Sequence, residues 1–114
     1  MKPKSVSALV YKVVDLEKTT EFYEGLGFRV GKNDGQTAVV YVNWFAIEFH
    51  LAGDIDDSPK DGPMMLVSVD VDEFYEAALA AGHKPVYELQ KTVAGRKEFA
   101  LKDPNGYLIV FFEK

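Results

Sequence analysis

The sequence predicts an α+β fold built from two tandem strand–helix–strands modules. Three observations lead there. A strand–helix–strands order occurs twice, the two helices share one spacing between their capping and closing residues, and a polar stretch rich in turn-forming residues separates the halves. Asp15 to Gly27 and Asp70 to Gly82 each span 12 residues (27 − 15 and 82 − 70). At the resulting offset of 55 (70 − 15), Val14 meets Val69, Glu21 meets Glu76 and Arg29 meets Lys84. A repeat of this kind decides the architecture, because each half must build the same supersecondary unit.

The elements follow in order. Residues 5–13 are β-rich and read as a strand. Asp15 then caps a helix in which Leu16, Thr19, Thr20, Tyr23 and Leu26 fall on one face. Gly27 ends it, since a glycine after the last turn takes the left-handed conformation at no steric cost. Residues 36–43 and 44–51 read as strands two and three of a meander, with Gly35 in the turn before them. Residues 53–62, GDIDDSPKDG, are the linker between module one (1–52) and module two (63–114). In module two, residues 64–69 form a strand and Asp70 caps a helix, with Glu73 placed for a capping box. Val71, Phe74, Tyr75, Ala78 and Leu79 form the buried face, and Gly82 closes the helix. Strands over 84–88, 97–102 and 107–112 complete the module, the last two joined by the turn Asp103-Pro104-Asn105-Gly106.

Composition bounds the function. A chain of 114 residues with 47% apolar and 13% aromatic residues can bury a core of its own. Cysteine is absent, which excludes disulfides, thiolate metal sites and a Cys nucleophile. Eighteen acids against 13 bases give a net charge of −5, the wrong sign for a partner held through phosphates. No apolar stretch reaches membrane-spanning length, and no signal-peptide core follows Met1. The expectations are therefore a cytoplasmic protein with no nucleic-acid and no membrane partner.

Two segments resemble a known family. Val14-Asp15-Leu16-Glu17-Lys18 through Phe22-Tyr23 to Leu26-Gly27-Phe28 is similar to the opening pattern of the vicinal-oxygen-chelate superfamily, which includes glyoxalases, bleomycin-resistance proteins and dioxygenases. Glu98-Phe99-Ala100-Leu101-Lys102-Asp103-Pro104-Asn105-Gly106 resembles its closing turn. With the repeat, the resemblance covers almost the whole chain. It implies two βαβββ modules whose strands curve into a mixed-sheet cup, and a homodimer.

Enzymes of that superfamily hold a divalent metal through four strand positions, and the metal polarises paired oxygens of the substrate. The resemblance places those positions at Ala8, Glu48, Pro63 or Met64, and Val110. Glu48 is the one retained candidate, and a lone carboxylate does not hold a catalytic ion. No metal, no cofactor and no catalytic residue are therefore expected, and an enzyme is the less favoured reading. The closing stretch from Gly95 to Pro104 is similar to the metal-free, bleomycin-resistance type, which binds a drug without turning it over. The aromatic that often precedes this stretch is replaced here by Val93-Ala94.

The expected ligand site is the cup. Strand alternation places Trp44, Ala46, Glu48 and His50 on one face, with Lys12 on the matching face of the first strand. Tyr41 reaches it from the neighbouring strand, and Val110 and Phe112 complete the lining. Aromatic surface with a few polar groups suits a small, flat ligand, aromatic or glycopeptide-like and compatible with positive charge. Two other readings stay open: a divergent lyase, isomerase or dioxygenase using Glu48 and His50, and a cup packed shut by Trp44, Tyr41 and Phe112.

Overall fold

The computed structural model describes residues 1–2, 4, 8–52, 64–92 and 95–113. The expected linker, together with Pro63, Val93 and Ala94, lies outside them. The chain divides into two compact units, Met1–Asp56 and Asp57–Lys114.

Unit one contains β1 (Leu9–Val13), α1 (Leu16–Gly25), β2 (Arg29–Asn33), β3 (Thr37–Val42) and β4 (Phe45–Leu51). Unit two contains β5 (Met65–Ser68), α2 (Val71–Ala80), β6 (Tyr87–Lys91), β7 (Lys97–Lys102) and β8 (Leu108–Glu113). Each unit is the predicted βαβββ module with one four-stranded mixed sheet, in the orders β1-β4-β3-β2 and β5-β8-β7-β6. The first strand of each pairs in parallel with the last, and the other pairings are antiparallel.

Helix α1 follows the expected reading closely. All five residues of its predicted face are buried, and the two threonines lose no hydrogen bonding by it. The Thr19 hydroxyl donates to the Asp15 carbonyl at 2.7 Å and the Thr20 hydroxyl to the Leu16 carbonyl at 2.9 Å. Such back-bonding lets a helix bury hydroxyls among apolar neighbours. The repeat is visible at both helix ends. The Phe28 N–H donates to the Tyr23 carbonyl and the His83 N–H to the Ala78 carbonyl, past Gly27 (φ 96°) and Gly82 (φ 91°).

The two N-termini differ, which corrects the expected capping box. Asp15 Oδ1 accepts from the Lys18 N–H at 2.9 Å, whereas the Asp70 side chain makes no capping bond. Glu113, from β8, takes that role: its Oε1 accepts from the Val71 N–H at 3.0 Å. Lys97, the register partner of Glu113, reaches Asp72 at 2.7 Å beside it. A cap supplied from the sheet ties α2 to β8 rather than stabilising the helix locally. Asp15→Ala is expected to cost about 1 kcal/mol in urea unfolding, a usual loss for a cap. Asp70→Ala should cost clearly less, and Glu113→Ala more than Asp70→Ala.

Each module has its own aromatic core between helix and sheet. In unit one, fully buried Tyr23 lies 5.1 Å from Phe28 and 4.9 Å from Phe49 between ring centroids. In unit two, Phe111 stacks on Phe74 at 4.5 Å and on Phe99 at 5.2 Å, with Tyr75 edge-on to Phe99. Leu79, expected on the buried face of α2, is 40% exposed. The turn after β7 is held by Asp103, whose Oδ1 accepts from the Asn105 N–H at 2.8 Å and the Tyr107 N–H at 2.9 Å.

Three strand readings shift. Residues 29–33 form β2, which the sequence reading left out, and residues 84–88 give way to β6 over Tyr87–Lys91. Trp44 is not part of β4. It sits with Asn43 in the two-residue turn between Val42 and Phe45, where Asn43 takes φ 52°. Asparagine tolerates that left-handed conformation better than other non-glycine residues, so the turn forms there and the strand starts one residue later.

Candidate functional site

In both sheets one face packs on the helix; in unit one the other face is largely open, whereas in unit two Glu98, Ala100 and Val110 on that other face are buried. On β1 and β4 of unit one, Tyr11, Val13, Ile47 and Phe49 face inward and are buried. The alternate residues Val10, Lys12, Glu48 and His50 therefore share the open face. Register places Val10 against Glu48 and Lys12 against His50. On the other side of β4, Val39 stands against Glu48 and Thr37 against His50.

Four predicted residues thus come together on one open sheet. His50 Nε2 and Glu48 Oε1 lie 2.9 Å apart, both half-exposed. Tyr41, opposite Ala46, is fixed by its surroundings: the Arg29 guanidinium lies 4.7 Å over its ring. Gly31 leaves space beneath it, since a Cβ there would stand 2.6 Å from Tyr41 Cε2. Trp44 stands apart from this row. At the hairpin tip it is 96% exposed, with Val42 and Phe45 partly exposed beside it. A concavity of 450 Å³ at the start of α1, floored by Val14, Leu16 and Leu51, includes none of the predicted residues.

In unit two, Val110 pairs with Leu66 and Ala100, and Phe112 with Ser68 and Glu98. Val110 is 3% exposed and Phe112 half-buried. Beside them lies a cluster that sequence reasoning missed. Glu98, 6% exposed, accepts a short hydrogen bond from the Tyr87 hydroxyl. Arg96 Nε donates to Glu98 Oε1 at 3.0 Å, and Arg96 Nη2 forms an ion pair with the same oxygen at 3.0 Å. The guanidinium carbon of Arg96 lies 4.9 Å over the Phe112 ring. Burial, then the hydrogen bond and charge of Glu98, push the Tyr87 hydroxyl up to about 12. The usable signal was alternation: Glu98 is in register with Phe112, so both had to lie on one face.

The four expected metal positions can now be tested for fit. Register gives Glu48 and Val110 the same place in their modules, each on the last strand against the second open-face residue of the first, Val10 or Leu66. Ala8, Val110 and exposed Met64 carry no oxygen or nitrogen donor in their side chains. Among the described residues, no three His, Cys, Asp or Glu side chains gather into a group that could hold an ion. Glu48 with His50 offers two donors, short of the set a divalent ion needs. These residues do not fit the metal centre of the family's enzymes.

Comparison with known proteins agrees with this architecture. Residues 6–111 match the model of the glyoxalase/bleomycin resistance protein/dioxygenase superfamily, and the chain belongs to that family. No curated protein matches at a significant level. Among solved structures, a glyoxalase/bleomycin resistance protein/dioxygenase from Alicyclobacillus acidocaldarius is similar over 98% of this chain and 92% of its own, with TM-score 0.79 and 20% identity. A bleomycin-binding protein complexed with bleomycin aligns over 97% of this chain and 99% of its own, with TM-score 0.74 and 21% identity. A lactoylglutathione lyase from Agrobacterium tumefaciens covers 98% and 95%, with TM-score 0.77 and 15% identity. At these identities the likeness is one of fold, and the fold is shared by binders and enzymes alike. Among the described residues no helix is long and apolar enough to cross a membrane.

Proposed function

We propose that this chain is a metal-independent protein that binds and sequesters a small, flat molecule, as the bleomycin-resistance type does. The observation that carries the reading is the donor set: of the strand positions that hold metal in the family's enzymes, Glu48 alone bears a ligating side chain. The open face of module one supports it, since it combines apolar and aromatic groups with a few polar ones, the usual make-up of a small-molecule site. In this reading Lys12, Tyr41, Glu48 and His50 line the face of module one, and Val110 and Phe112 belong to the corresponding face of module two. Trp44 contributes from its hairpin tip. The protein works as a cytoplasmic homodimer, and an aromatic ligand bearing positive charge would suit Glu48.

A second reading is favoured by the Glu48–His50 contact, an arrangement that could move a proton in a divergent lyase or isomerase. Elemental analysis with thermal melts in nickel, zinc, manganese and bleomycin separates the two. The binding reading expects no stoichiometric metal and no metal-dependent shift. Bleomycin at 100 times its Kd should stabilise the fold by about 2.7 kcal/mol through mass action. Trp44→Ala provides a clean control: so exposed a residue should change stability by less than about 0.5 kcal/mol, so a lost ligand shift reports binding. One ion per chain that raises the melting point would overturn the binding reading in favour of the enzyme.

A further inference from the structure

Arg96 is arranged as arginines are when they are prepared to meet something. One face of its guanidinium lies on the Phe112 ring at 4.9 Å, its Nε donates to Glu98 Oε1 and its Nη2 is ion-paired with the same oxygen. Glu98 is itself held by the Tyr87 hydroxyl. The Arg96 side chain nevertheless keeps 38% of its exposure. Among the described residues these contacts leave over the opposite guanidinium face and the Nη1 and Nη2 hydrogens that point away from Glu98.

We propose that Arg96, seated on Phe112 and steered by Glu98, is a ligand-contacting residue that forms a stacking shelf for a flat aromatic carboxylate. The paired Nη1 and Nη2 hydrogens match the two oxygens of a carboxylate, and the planar guanidinium stacks on aromatic rings. Glu98 makes the shelf selective. It neutralises most of the Arg96 charge, so a bare anion gains little there, and a ligand must bring a ring as well as an acceptor pair. It also removes rotamer freedom before binding, which lowers the entropy cost of ordering a long side chain. Tyr87, its hydroxyl pushed up to about 12 by burial and by Glu98, stays a donor to Glu98 across the neutral pH range. The inference rests on the binding reading above, because Phe112 belongs to the face assigned there; Glu48 favours positive charge at the face of module one, whereas Arg96 favours a carboxylate at that of module two.

Titration of the ¹⁵N-labelled full chain with 2-naphthoate tests it, with the Arg96 Nε–H resonance as reporter. Saturable movement of that resonance is expected, with 2-naphthamide weaker and inorganic phosphate without effect. Arg96→Lys keeps the charge and loses the plane and the fork, so it should weaken 2-naphthoate by about tenfold or more while the backbone spectrum stays folded. Phe112→Leu should weaken it as well. If 2-naphthoate moves resonances of Tyr41, Glu48 and His50 and leaves Arg96 still, the shelf is wrong and the binding reading stands. If it moves Arg96 while those of module one and Trp44→Ala show no effect, the shelf stands and the wider site is wrong. No saturable shift at Arg96 overturns the proposal.

Discussion

Phe111→Ala is expected to remove about 3–5 kcal/mol from the stability of module two, the upper range for truncating a buried aromatic. Phe111 is fully buried, between Phe74 at 4.5 Å and Phe99 at 5.2 Å. Its strand, β8, is hydrogen-bonded to β5 on one side and β7 on the other, so the backbone has little freedom to collapse into the cavity. A domain of this size has only about 5–15 kcal/mol in total, so the variant should sit near its unfolding threshold. Urea unfolding followed by fluorescence and far-ultraviolet dichroism measures the loss. Because each module has its own core, the transition of module two should move ahead of that of module one. A loss under about 1.5 kcal/mol, the size of a volume-conserving swap, would mean that the three stacked rings do not bear the packing assigned to them.

Glu98→Gln carries the second large effect. Hydrogen bonds from the Tyr87 hydroxyl and Arg96 Nε and an ion pair with Arg96 Nη2 converge on this buried carboxylate, and weakening them should cost about 1–3 kcal/mol. The cost stays below that of breaking a fully buried ion pair because Arg96 is 38% exposed and can turn to water. The variant also changes the pH response. In the native fold the Tyr87 hydroxyl is raised from 10.0 to about 12, so the folded state holds that proton more tightly than the unfolded chain. Its contribution to stability is complete below pH 10.0 and is lost as pH rises through about 12. Since burial is the largest cause, Glu98→Gln should bring Tyr87 only part of the way back. Phenolate absorbance followed against pH reads the shift directly, and an unchanged titration of Tyr87 would break the link to Glu98.

How much of this was legible in the sequence depends on whether the signal was local. Helix α1 was, down to Thr19 and Thr20, because one period and one capping residue specify it. Strand β2 was not: Arg29-Val30-Gly31-Lys32-Asn33 has no apolar alternation, and pairing with β3 alone makes it a strand. Trp44 was misplaced because its aromatic character suggested a strand, while the decisive residue was Asn43. Asp70 and Glu73 have the right spacing for a capping box, yet Glu113 reaches the helix first from a distant part of the chain. In the candidate site, the Glu48–His50 pair follows from alternation along one strand. The Arg96–Glu98–Tyr87 cluster joins two strands and a ring on a third, and only their register brings them together.

The parallel pairing at the edge of each sheet has a kinetic consequence. Leu9 stands against Ile47 and Met65 against Ile109, so each opening strand must wait for a closing strand about 40 residues later. The hairpins β3–β4 and β7–β8 need no such wait, since local antiparallel pairs close early. In each module the opening strand is thus the last to dock and, lying at an edge with one bonded neighbour, the first to let go. Amide hydrogens of β1 and β5 should exchange with solvent through a partial opening that leaves the hairpins intact, and that opening would uncover the Val10 and Leu66 side of each open face without unfolding the aromatic cores.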